Sequence, residues 1–334
     1  MKKICFQSSN YVKNECFSSD YGRDNFIYFI SNLKPYFLKY GFDIATHDIN
    51  SPESSDIILR LGFEKGLQLG PKNKSYLIAL ESPHFDPAAI ATKNHGHFQK
   101  IFTNNDDLID NKKYFKVNYA YDIPKLIPKQ FKTKKLCCVL AGNKSAHHPN
   151  ELYTKRVAII RWFEDHHPRD LDLYGIGWDQ YRFGHSFIGR ILNKPKIFRK
   201  KKLFPSYRGI ASNKFILMQN YKFSICYENI QGQNGYITEK IFDCFFAGCV
   251  PVYWGAKNIG SHIPHDCFID KRNFKSFEDL YLFMNSMSSN EYLSYLKRIE
   301  IFLNSEAVKP FSAAFFAETI IREINFDTRD VRKK

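Results

Sequence analysis

The chain has 334 residues, of which 44% are hydrophobic and 25% charged, a composition typical of globular proteins. It excludes a disordered or fibrous protein, and the length predicts two domains, because single hydrophobic cores stop growing near this size. Lysine and arginine number 49 against 34 acidic residues, so the formal net charge is +15. Such a surface attracts polyanions, anionic lipid headgroups or a phosphorylated ligand.

Eight cysteines without regular spacing predict neither a disulfide framework nor a metal site, and we interpret them as buried thiols in a reducing compartment. Two lysines stand near the start, but the apolar run that follows is too short for a signal peptide or a spanning helix. We therefore expect a cytoplasmic protein that can contact the inner membrane face peripherally.

Short strand-like runs alternate with longer amphipathic runs, which predicts α/β architecture with mostly parallel sheets. In the first part of the chain we expect a strand at 3–6, a helix over 24–40 that Gly41 closes, and strands at 42–45, 56–61 and 75–80. Between Asp122 and Lys135 the chain is rich in proline and lysine, the composition of an interdomain connection.

A second α/β series follows this connection. We expect strands at 136–141, 171–174, 223–227 and 250–254, and helices at 152–165, 214–220 and 238–247. One domain is therefore placed at 1–125 and a second at 135–305. The remainder, 306–334, holds a helix over 312–324 that we expect to cross back to the first domain, and a basic tail.

The densest motif runs from a strand through a glycine-bearing loop to a helix start. Gly232 and Gly235 let the loop approach a ligand closely, and Thr238 is the predicted N-cap. The unpaired amides and the positive dipole end of that helix suit an anionic diphosphate, and Lys240 adds a full positive charge. Glu239 is either a carboxylate favoured by the helix dipole, which is the commoner case, or a bidentate acceptor for a ribose diol.

The segments Phe-x-Ile-Cys-Tyr-Glu-Asn, Gly-Tyr-Ile-Thr-Glu-Lys-Ile and Gly-x-Val-Pro-Val-Tyr-Trp-Gly, between residues 223 and 255, resemble the signature of the α1,3/α1,4-fucosyltransferases, glycosyltransferase family 10. The resemblance implies a GT-B fold, with two Rossmann-like domains facing across a cleft. It also implies inverting transfer of L-fucose from GDP-fucose to a hydroxyl, preferably O3, of a GlcNAc or glucose unit. The acceptor would be N-acetyllactosamine or a lipid-linked glycan.

The resemblance also implies site residues. The segment 79–85 is similar to the family's Glu-Ser-Pro segment, so Glu81 is the expected catalytic base. Arg156, entering a helix, matches the arginine that meets the donor pyrophosphate. The other expected donor-binding residues are Asn143, Lys144, Tyr207, Glu228, Asn229, Tyr236, Thr238, Glu239 and Lys240.

Several of these residues have a purely structural alternative. Without the resemblance, Glu81 would be a loop carboxylate before Pro83, and Lys144 is equally well a residue of a solvated turn. Asp170 and Asp172 form an Asp-x-Asp pattern, but their apolar neighbours indicate a buried strand, so we expect no obligatory metal ion. The histidine pairs at 147–148 and 166–167 lack a third ligand and are assigned to the surface.

The region from Gln180 to Tyr227 contains no acidic residue. Its basic run is interpreted as a solvated loop, an anionic-glycan site, a nucleic-acid site or a membrane-proximal surface, and the last is preferred because bacterial relatives in the family often use lipid-linked glycans. Two other functions are weighed: the same fold with another nucleotide sugar, and nucleic-acid binding. The missing binding module and the core spacing of the aromatic residues argue against nucleic acid. The run comprises Arg190, Lys194, Lys196, Arg199, Lys200, Lys201 and Lys202.

Overall fold

The computed structural model describes residues 1–18, 28–63, 66–132, 134–180, 191 and 203–330. Residues 328–330 are described by their backbone only. The chain forms two compact units. The first comprises Met1–Ile123, Asn234–Tyr236 and Glu306–Lys334, and the second comprises Pro124–Gln233 and Ile237–Ser305. The basic run of the sequence analysis lies outside the described residues.

The first unit is built on a parallel sheet with the order β2-β1-β3-β4-β5-β6. The first four strands follow the predicted apolar runs. The last two were not predicted, because runs of three or four residues show too little periodicity. The strands are β1 (Lys2–Gln7), β2 (Phe42–Thr46), β3 (Ile57–Leu61), β4 (Ser75–Ala79), β5 (Lys100–Thr103) and β6 (Tyr114–Lys116).

The helix expected over 24–40 is wrong as one element, because the described part forms two helices, α1 (Tyr28–Ser31) and α2 (Leu33–Lys39). Pro35 explains the break, since it has no N–H to donate to the carbonyl of Ser31 and its ring clashes with that group. Gly41 follows α2 with a φ of 82°. A third helix, α3 (Pro87–Ile90), follows β4.

The second unit is built on another parallel sheet, with the order β12-β11-β10-β7-β8-β9. Counted within the unit this is 6-5-4-1-2-3, the Rossmann order, whose topological switch point lies between β7 and β10. The strands are β7 (Lys135–Leu140), β8 (Leu171–Tyr174), β9 (Tyr207–Gly209), β10 (Tyr221–Tyr227), β11 (Val250–Trp254) and β12 (Ile269–Asp270).

The helices of the second unit include two that were not predicted. Both begin with a capping box, Ser276 with Asp279 and Ser288 with Glu291, in which each side chain bonds the other's main-chain N–H. This Ser-x-x-Asp/Glu pattern is visible in the sequence and could have located them. The helices are α4 (Tyr153–His166), α5 (Lys214–Met218), α6 (Glu239–Phe246), α7 (Phe277–Ser286) and α8 (Ser289–Leu303).

The proline- and lysine-rich stretch belongs to the second unit from Pro124 onward. Ile127 is buried, and its N–H donates to Oε2 of Glu300 on α8 at 3.1 Å. Lys129 reaches the same carboxylate at 2.5 Å. The stretch is therefore fastened along α8 instead of forming a loose connection.

The last helix, α9 (Ala313–Asp330), belongs to the first unit and extends beyond the predicted end at 324. Lys100 on β5 fastens it to the sheet, with its Nζ 3.0 Å from Oε2 of Glu323 and 2.9 Å from Oδ1 of Asp327. Tyr76 on β4 donates to the other oxygen of Asp327 at 2.9 Å. Two carboxylates of α9 therefore attach this amphipathic helix to the sheet of the first unit.

Two chain-wide properties complete the fold. All eight cysteines are buried and unbridged, which confirms their interpretation as buried thiols. Among the residues that the structure describes, no helix combines the length and the apolar character needed to cross a bilayer.

Candidate active site

The switch point of the second sheet gathers several of the expected donor-binding residues. Asn143 and Lys144 come directly after β7, and Glu228 and Asn229 come directly after β10, the strand that pairs with β7. Ligands of open α/β sheets bind outside the carboxyl ends of the strands at such a point. The topology therefore brings residues 85 positions apart to one edge.

Glu228 is the centre of a buried network at this edge. The residue has no exposed surface, and its N–H donates to the carbonyl of Trp254 at 2.8 Å. Oε1 accepts the main-chain N–H of Thr238 at 2.8 Å, and Oε2 accepts the Thr238 hydroxyl at 2.7 Å and Lys240 Nζ at 3.1 Å. Burial raises the pKa of Glu228, and the Lys240 ammonium opposes this effect.

Thr238 occupies the N-cap position of α6, as predicted, but it makes no side-chain capping bond. Its hydroxyl is a donor to Glu228 instead, so the capping interaction expected from the sequence is wrong. The hydroxyl is engaged on both sides, because it donates to Glu228 and its oxygen accepts from Lys240 Nζ, and neither bond involves the first-turn amides of α6. Thr238 therefore ties β10 to α6.

Glu239 and Lys240 form the first turn of α6, and their side chains are 24% and 17% exposed. Lys240 Nζ also donates to the hydroxyl oxygen of Thr238 at 2.8 Å and to Oε1 of Glu239 at 3.4 Å. Burial acts to raise the pKa of Glu239, but the ammonium groups of Lys240 and Lys214 outweigh it and lower that pKa. The edge therefore presents an ionised carboxylate beside an ammonium group.

A second ion pair, which the sequence analysis missed, stands one turn further along α6. Lys214 on α5 lies 2.7 Å from Oδ2 of Asp243, and both residues are buried. Burial raises the pKa of Asp243 to about 7, although Lys214 acts in the opposite direction. Polar residues on helices of amphipathic pattern give no sign of such long-range pairing in a single sequence.

Arg156 lies in α4 and is 3% exposed. Its Nη2 donates to the carbonyls of Tyr227 at 2.6 Å and Glu228 at 3.3 Å, at the end of β10. Burial lowers the pKa of Arg156. The guanidinium thus fixes the strand end that carries Glu228, which is its observed role in the second unit.

Asn143, Lys144 and Tyr207 differ in their surroundings. Asn143 is 7% exposed, its N–H donates to the carbonyl of Ile176, and its Nδ2 donates to the carbonyl of Gly177 at 2.9 Å. Lys144 is exposed. Tyr207 on β9 donates its hydroxyl to the carbonyl of Gly175 at 2.9 Å. Asn143 and Tyr207 therefore shape the loop after β8, and Lys144 lies at the surface of the second unit.

Tyr236 belongs to the first unit with the rest of the segment Asn234–Tyr236, and it is 1% exposed. Gly235 has a φ of 76°, and a Cβ there would lie 2.1 Å from the carbonyl oxygen of Asn104. Asn234 donates to Oδ1 of Asp107 at 2.8 Å. Close packing thus requires glycine at 235. The bond from Asn234 and this close approach together fix the segment against the loop after β5.

Glu81 follows β4 in the first unit and lines a cavity of about 610 Å³. This volume lies in the range of ligand pockets. The described lining is mainly apolar and includes five aromatic side chains together with two carboxylates, Glu81 and Asp86. The aromatic residues are Tyr11, Phe29, Phe63, Phe85 and Tyr119.

The two carboxylates of the cavity differ in their surroundings. Asp86 is the N-cap of α3, with Oδ1 accepting the N–H of Ala89 at 3.0 Å and Oδ2 accepting the N–H of Phe63 at 2.8 Å. Both carboxylate oxygens of Asp86 therefore accept main-chain N–H groups. Glu81 is half-buried and comes between the end of β4 and a turn in which Ser82 O accepts two main-chain N–H groups.

The remaining candidates for chemistry have structural partners. Asp172 accepts from Lys135 at 2.9 Å, from Tyr221 at 2.8 Å and from Arg208 at 2.5 Å, and Asp170 accepts from Tyr281 at 2.9 Å. His166 stacks on Trp162, and His167 stacks on Tyr281. Across the described ranges, no three His, Cys, Asp or Glu side chains are arranged to hold a metal ion.

Curated relatives match short parts of the chain. The α-(1,3)-fucosyltransferase FucT of Helicobacter pylori is 35% identical over 88 residues, covering 26% of this chain and 18% of that protein. The 4-galactosyl-N-acetylglucosaminide 3-α-L-fucosyltransferase 9 of Mus musculus is 38% identical over 78 residues, covering 22% of this chain and 21% of that protein. The matched segments thus span about a fifth of these relatives.

Solved structures match nearly the whole chain. A crystal structure of an α1,3-fucosyltransferase with GDP superposes with a TM-score of 0.57 and 17% identity over 97% of this chain and 90% of that one. The Anabaena protein Alr3699/HepE with UDP and glucose superposes with a TM-score of 0.56 and 10% identity over 97% of this chain and 100% of that one. At these identities the likeness shows the fold, which is the GT-B fold.

The family model described as glycosyltransferase family 10 (fucosyltransferase), C-terminal, matches residues 131–307. This range is more than half of the chain and contains both the switch point of the second sheet and the start of α6. The chain belongs to glycosyltransferase family 10.

Proposed function

We propose that this chain is an inverting fucosyltransferase that moves L-fucose from GDP-fucose to a hydroxyl of a glycan, with O3 of a GlcNAc or glucose unit preferred, and releases GDP. The observation that carries the proposal is the position of Glu239 and Lys240. They stand in the first turn of α6, beside the switch point of a Rossmann-type sheet, inside the range that matches the family.

The start of α6 supplies the chemistry that a nucleoside diphosphate requires. The positive dipole end of this helix favours an anion, and Lys240 in its first turn adds a full charge. The lowered pKa of Glu239 keeps its carboxylate ionised, so it can accept both hydroxyls of a ribose diol. We assign these two residues to the ribose and the diphosphate.

We assign the general base to Glu81. An inverting transfer needs a group that takes the proton of the acceptor hydroxyl as that oxygen attacks C1 of the sugar. Glu81 lines the first unit's cavity just after β4, within the segment that resembles the family's Glu-Ser-Pro segment. Transfer of the proton to Glu81 leaves an acceptor alkoxide that forms the new bond while the C1–O bond to GDP breaks.

The negative charge of the departing diphosphate must be stabilised by positively charged groups beside it. We assign Lys240 to direct contact with the diphosphate, and we assign to Arg156, which donates to the carbonyl at the strand end that carries Glu228, a supporting positive charge. Replacing either residue by alanine is expected to weaken GDP binding. We propose that these groups suffice without a divalent metal, so transfer should persist in the presence of EDTA.

The cavity around Glu81 suits the acceptor. Aromatic side chains pack against the apolar faces of sugar rings, and five of them line this cavity. A relative in mouse is named for a 4-galactosyl-N-acetylglucosaminide acceptor, which makes N-acetyllactosamine the first acceptor to test. Lipid-linked glycans that end in the same unit are the second.

A different nucleotide sugar is the second candidate donor. The observation that favours it is the similar TM-score, 0.56 against 0.57, for a protein solved with UDP and glucose. Glu239 and Lys240 would recognise the ribose and diphosphate of any such donor. Recognition of the nucleobase and of the sugar therefore decides which nucleotide sugar is the donor.

The test is release of GDP or UDP by the purified chain given GDP-fucose, GDP-mannose or UDP-galactose, each with and without N-acetyllactosamine. We expect acceptor-stimulated release from GDP-fucose alone. Release from another donor would favour the second candidate. Absence of release from all three donors, with every acceptor tried, would contradict glycosyl transfer by this chain.

A further inference from the structure

We infer that Asn104 is a positioning residue for the catalytic base, and this inference rests on the proposed role of Glu81. Asn104 lies directly after β5 in the first unit and has no exposed surface. Its Nδ2 donates to the carbonyl oxygen of Leu80 at 2.9 Å, one residue before Glu81. The residue does not line the cavity and belongs to no motif that the sequence analysis identified.

The place of this hydrogen bond in the sheet explains its effect. β4 and β5 pair in parallel as far as Ala79 and Thr103, so the next facing residues are Leu80 and Asn104. Beyond that point the strands end and no further ladder bond follows. The side-chain amide of Asn104 thus supplies a bond to β4 one residue past the ladder.

Holding the carbonyl of Leu80 also holds the base. The oxygen of Leu80 and the N–H and Cα of Glu81 lie in one rigid, planar peptide group, so fixing the oxygen fixes the plane from which the glutamate side chain departs. Tyr119 donates to the same oxygen at the longer distance of 3.4 Å. The shorter bond from Asn104 therefore carries most of the restraint.

Asn104 is itself restrained by its neighbours. Its own carbonyl oxygen accepts Lys116 Nζ at 2.6 Å, and Lys116 is paired with Asp106. Within the described residues, Oδ1 of Asn104 has no hydrogen-bond partner. Burying an amide with an unsatisfied oxygen costs free energy, and the bond that the Asn104 nitrogen makes to Leu80 offsets part of that cost.

The same unit offers a matched control in Asn118. It too has no exposed surface and an Oδ1 without a partner among the described residues, and its Nδ2 donates to a single carbonyl, that of Pro310 at 3.3 Å. Asn104→Leu and Asn118→Leu therefore remove equivalent groups from equivalent burial. They differ in which carbonyl loses its donor.

The experiment compares both variants with the wild-type chain in acceptor-dependent transfer, donor KM, GDP affinity and Tm. We expect Asn104→Leu to lower kcat by about 10- to 100-fold, the effect of a misplaced catalytic group, with donor KM and GDP affinity unchanged. Asn118→Leu should lower Tm comparably and leave kcat within about 3-fold of wild type, since it displaces no reacting group. Equal kcat losses in the two variants would overturn the inference.

A second variant covers the case in which Asn104→Leu does not fold. Asn104→Asp keeps the shape, and its carboxyl can donate to Leu80 only when protonated. The ratio of its kcat to that of the wild type should rise as the pH is lowered, whereas a ratio independent of pH would overturn the inference. A wild-type chain without acceptor-dependent GDP release would overturn the proposed function and the inference together.

Discussion

Lys240 lies 3.1 Å from Oε2 of Glu228, a carboxylate with no exposed surface. The hydroxyl of Thr238 lies 2.8 Å from the same ammonium group. A lysine held by two partners has lost much of its rotamer freedom before any ligand arrives, so less entropy is lost when it binds a phosphate. The buried network therefore prepares one cationic group at the start of α6.

The first prediction concerns this lysine. Lys240→Ala should weaken GDP binding by about 10- to 100-fold, the range for a lost hydrogen bond to a charged group, as measured by calorimetry. The control is Lys297→Ala, which removes an exposed lysine from α8 of the same unit. Equal affinities of the two variants for GDP would show that Lys240 does not bind the donor.

The second prediction concerns the base. Glu81→Gln keeps the size of the side chain but cannot take a proton, so transfer should fall by about 10²- to 10⁴-fold while GDP affinity stays near the wild-type value. Glu318→Gln, at an exposed position of α9 in the same unit, is the control. If Glu81→Gln retained more than about a tenth of the wild-type rate, another group would have to be the base.

The third prediction compares two glycines in the left-handed region. Gly232 has a φ of 84° with open space around it, whereas a Cβ at Gly235 would meet Asn104 O at 2.1 Å. Gly232→Ala should therefore cost about 1–2 kcal/mol for its conformation alone. Gly235→Ala should lower the free energy of unfolding further because it also displaces packed backbone. Urea unfolding measures both, and equal losses would mean that the close approach at 235 is relieved without cost.

The fourth prediction concerns the attachment of α9. Lys100→Met leaves the buried carboxylate of Glu323 and the mostly buried carboxylate of Asp327 without their shared ammonium group, which should cost about 3–5 kcal/mol in unfolding free energy. Arg322→Met removes an exposed partner of Glu323 and should cost less than about 1 kcal/mol. Similar Tm values for the two variants would show that α9 is held by its apolar face alone.

The fifth prediction is a pH dependence. His95 is 1% exposed, with Nε2 2.8 Å from the carbonyl of Ala89 and Nδ1 3.0 Å from the hydroxyl of Tyr114. Because a carbonyl only accepts, Nε2 carries the proton of the neutral ring. Burial lowers the pKa of His95. From about pH 6.5 down to the lowered pKa of His95 in the folded chain, the unfolded chain binds a proton that the folded chain does not, so stability falls as the pH drops through this window.

The measurement is urea unfolding of the wild type and His95→Gln from about pH 8 down to about pH 5, on either side of the ordinary histidine pKa. The wild type should lose more unfolding free energy over that interval than the variant, which has no imidazole to protonate. A parallel decline in both proteins would assign the pH dependence to other groups.

Local patterns in the sequence were sufficient for much of the fold. The apolar runs of β3, β4, β10 and β11 coincide with the predicted strands to within about two residues, because parallel strands buried on both faces are continuously apolar. The helix over 24–40 was wrong because the apolar spacing outweighed Pro35 in the prediction. The short strands β5 and β6 were missed because their pairing, not their composition, makes them strands.

The candidate site was predictable only in part. Glu239 and Lys240 were located from the glycine loop and the helix start, which are local features of the sequence. The partners of Lys240 and the role of Asn104 were not predictable, because the contacts of Asn104 with Leu80 and of Lys240 with Glu228 depend on strand order and register. Sequence spacing alone does not encode which carbonyl or carboxylate a buried side chain meets.

We propose that this chain transfers fucose from GDP-fucose to a glycan with Glu81 as the general base. The most direct measurement is mass spectrometry of N-acetyllactosamine after incubation with GDP-fucose and either the wild-type chain or Glu81→Gln. We expect the acceptor to gain one fucosyl unit with the wild type and to stay unmodified with the variant. Unmodified acceptor with both proteins, or equal product with both, would contradict it.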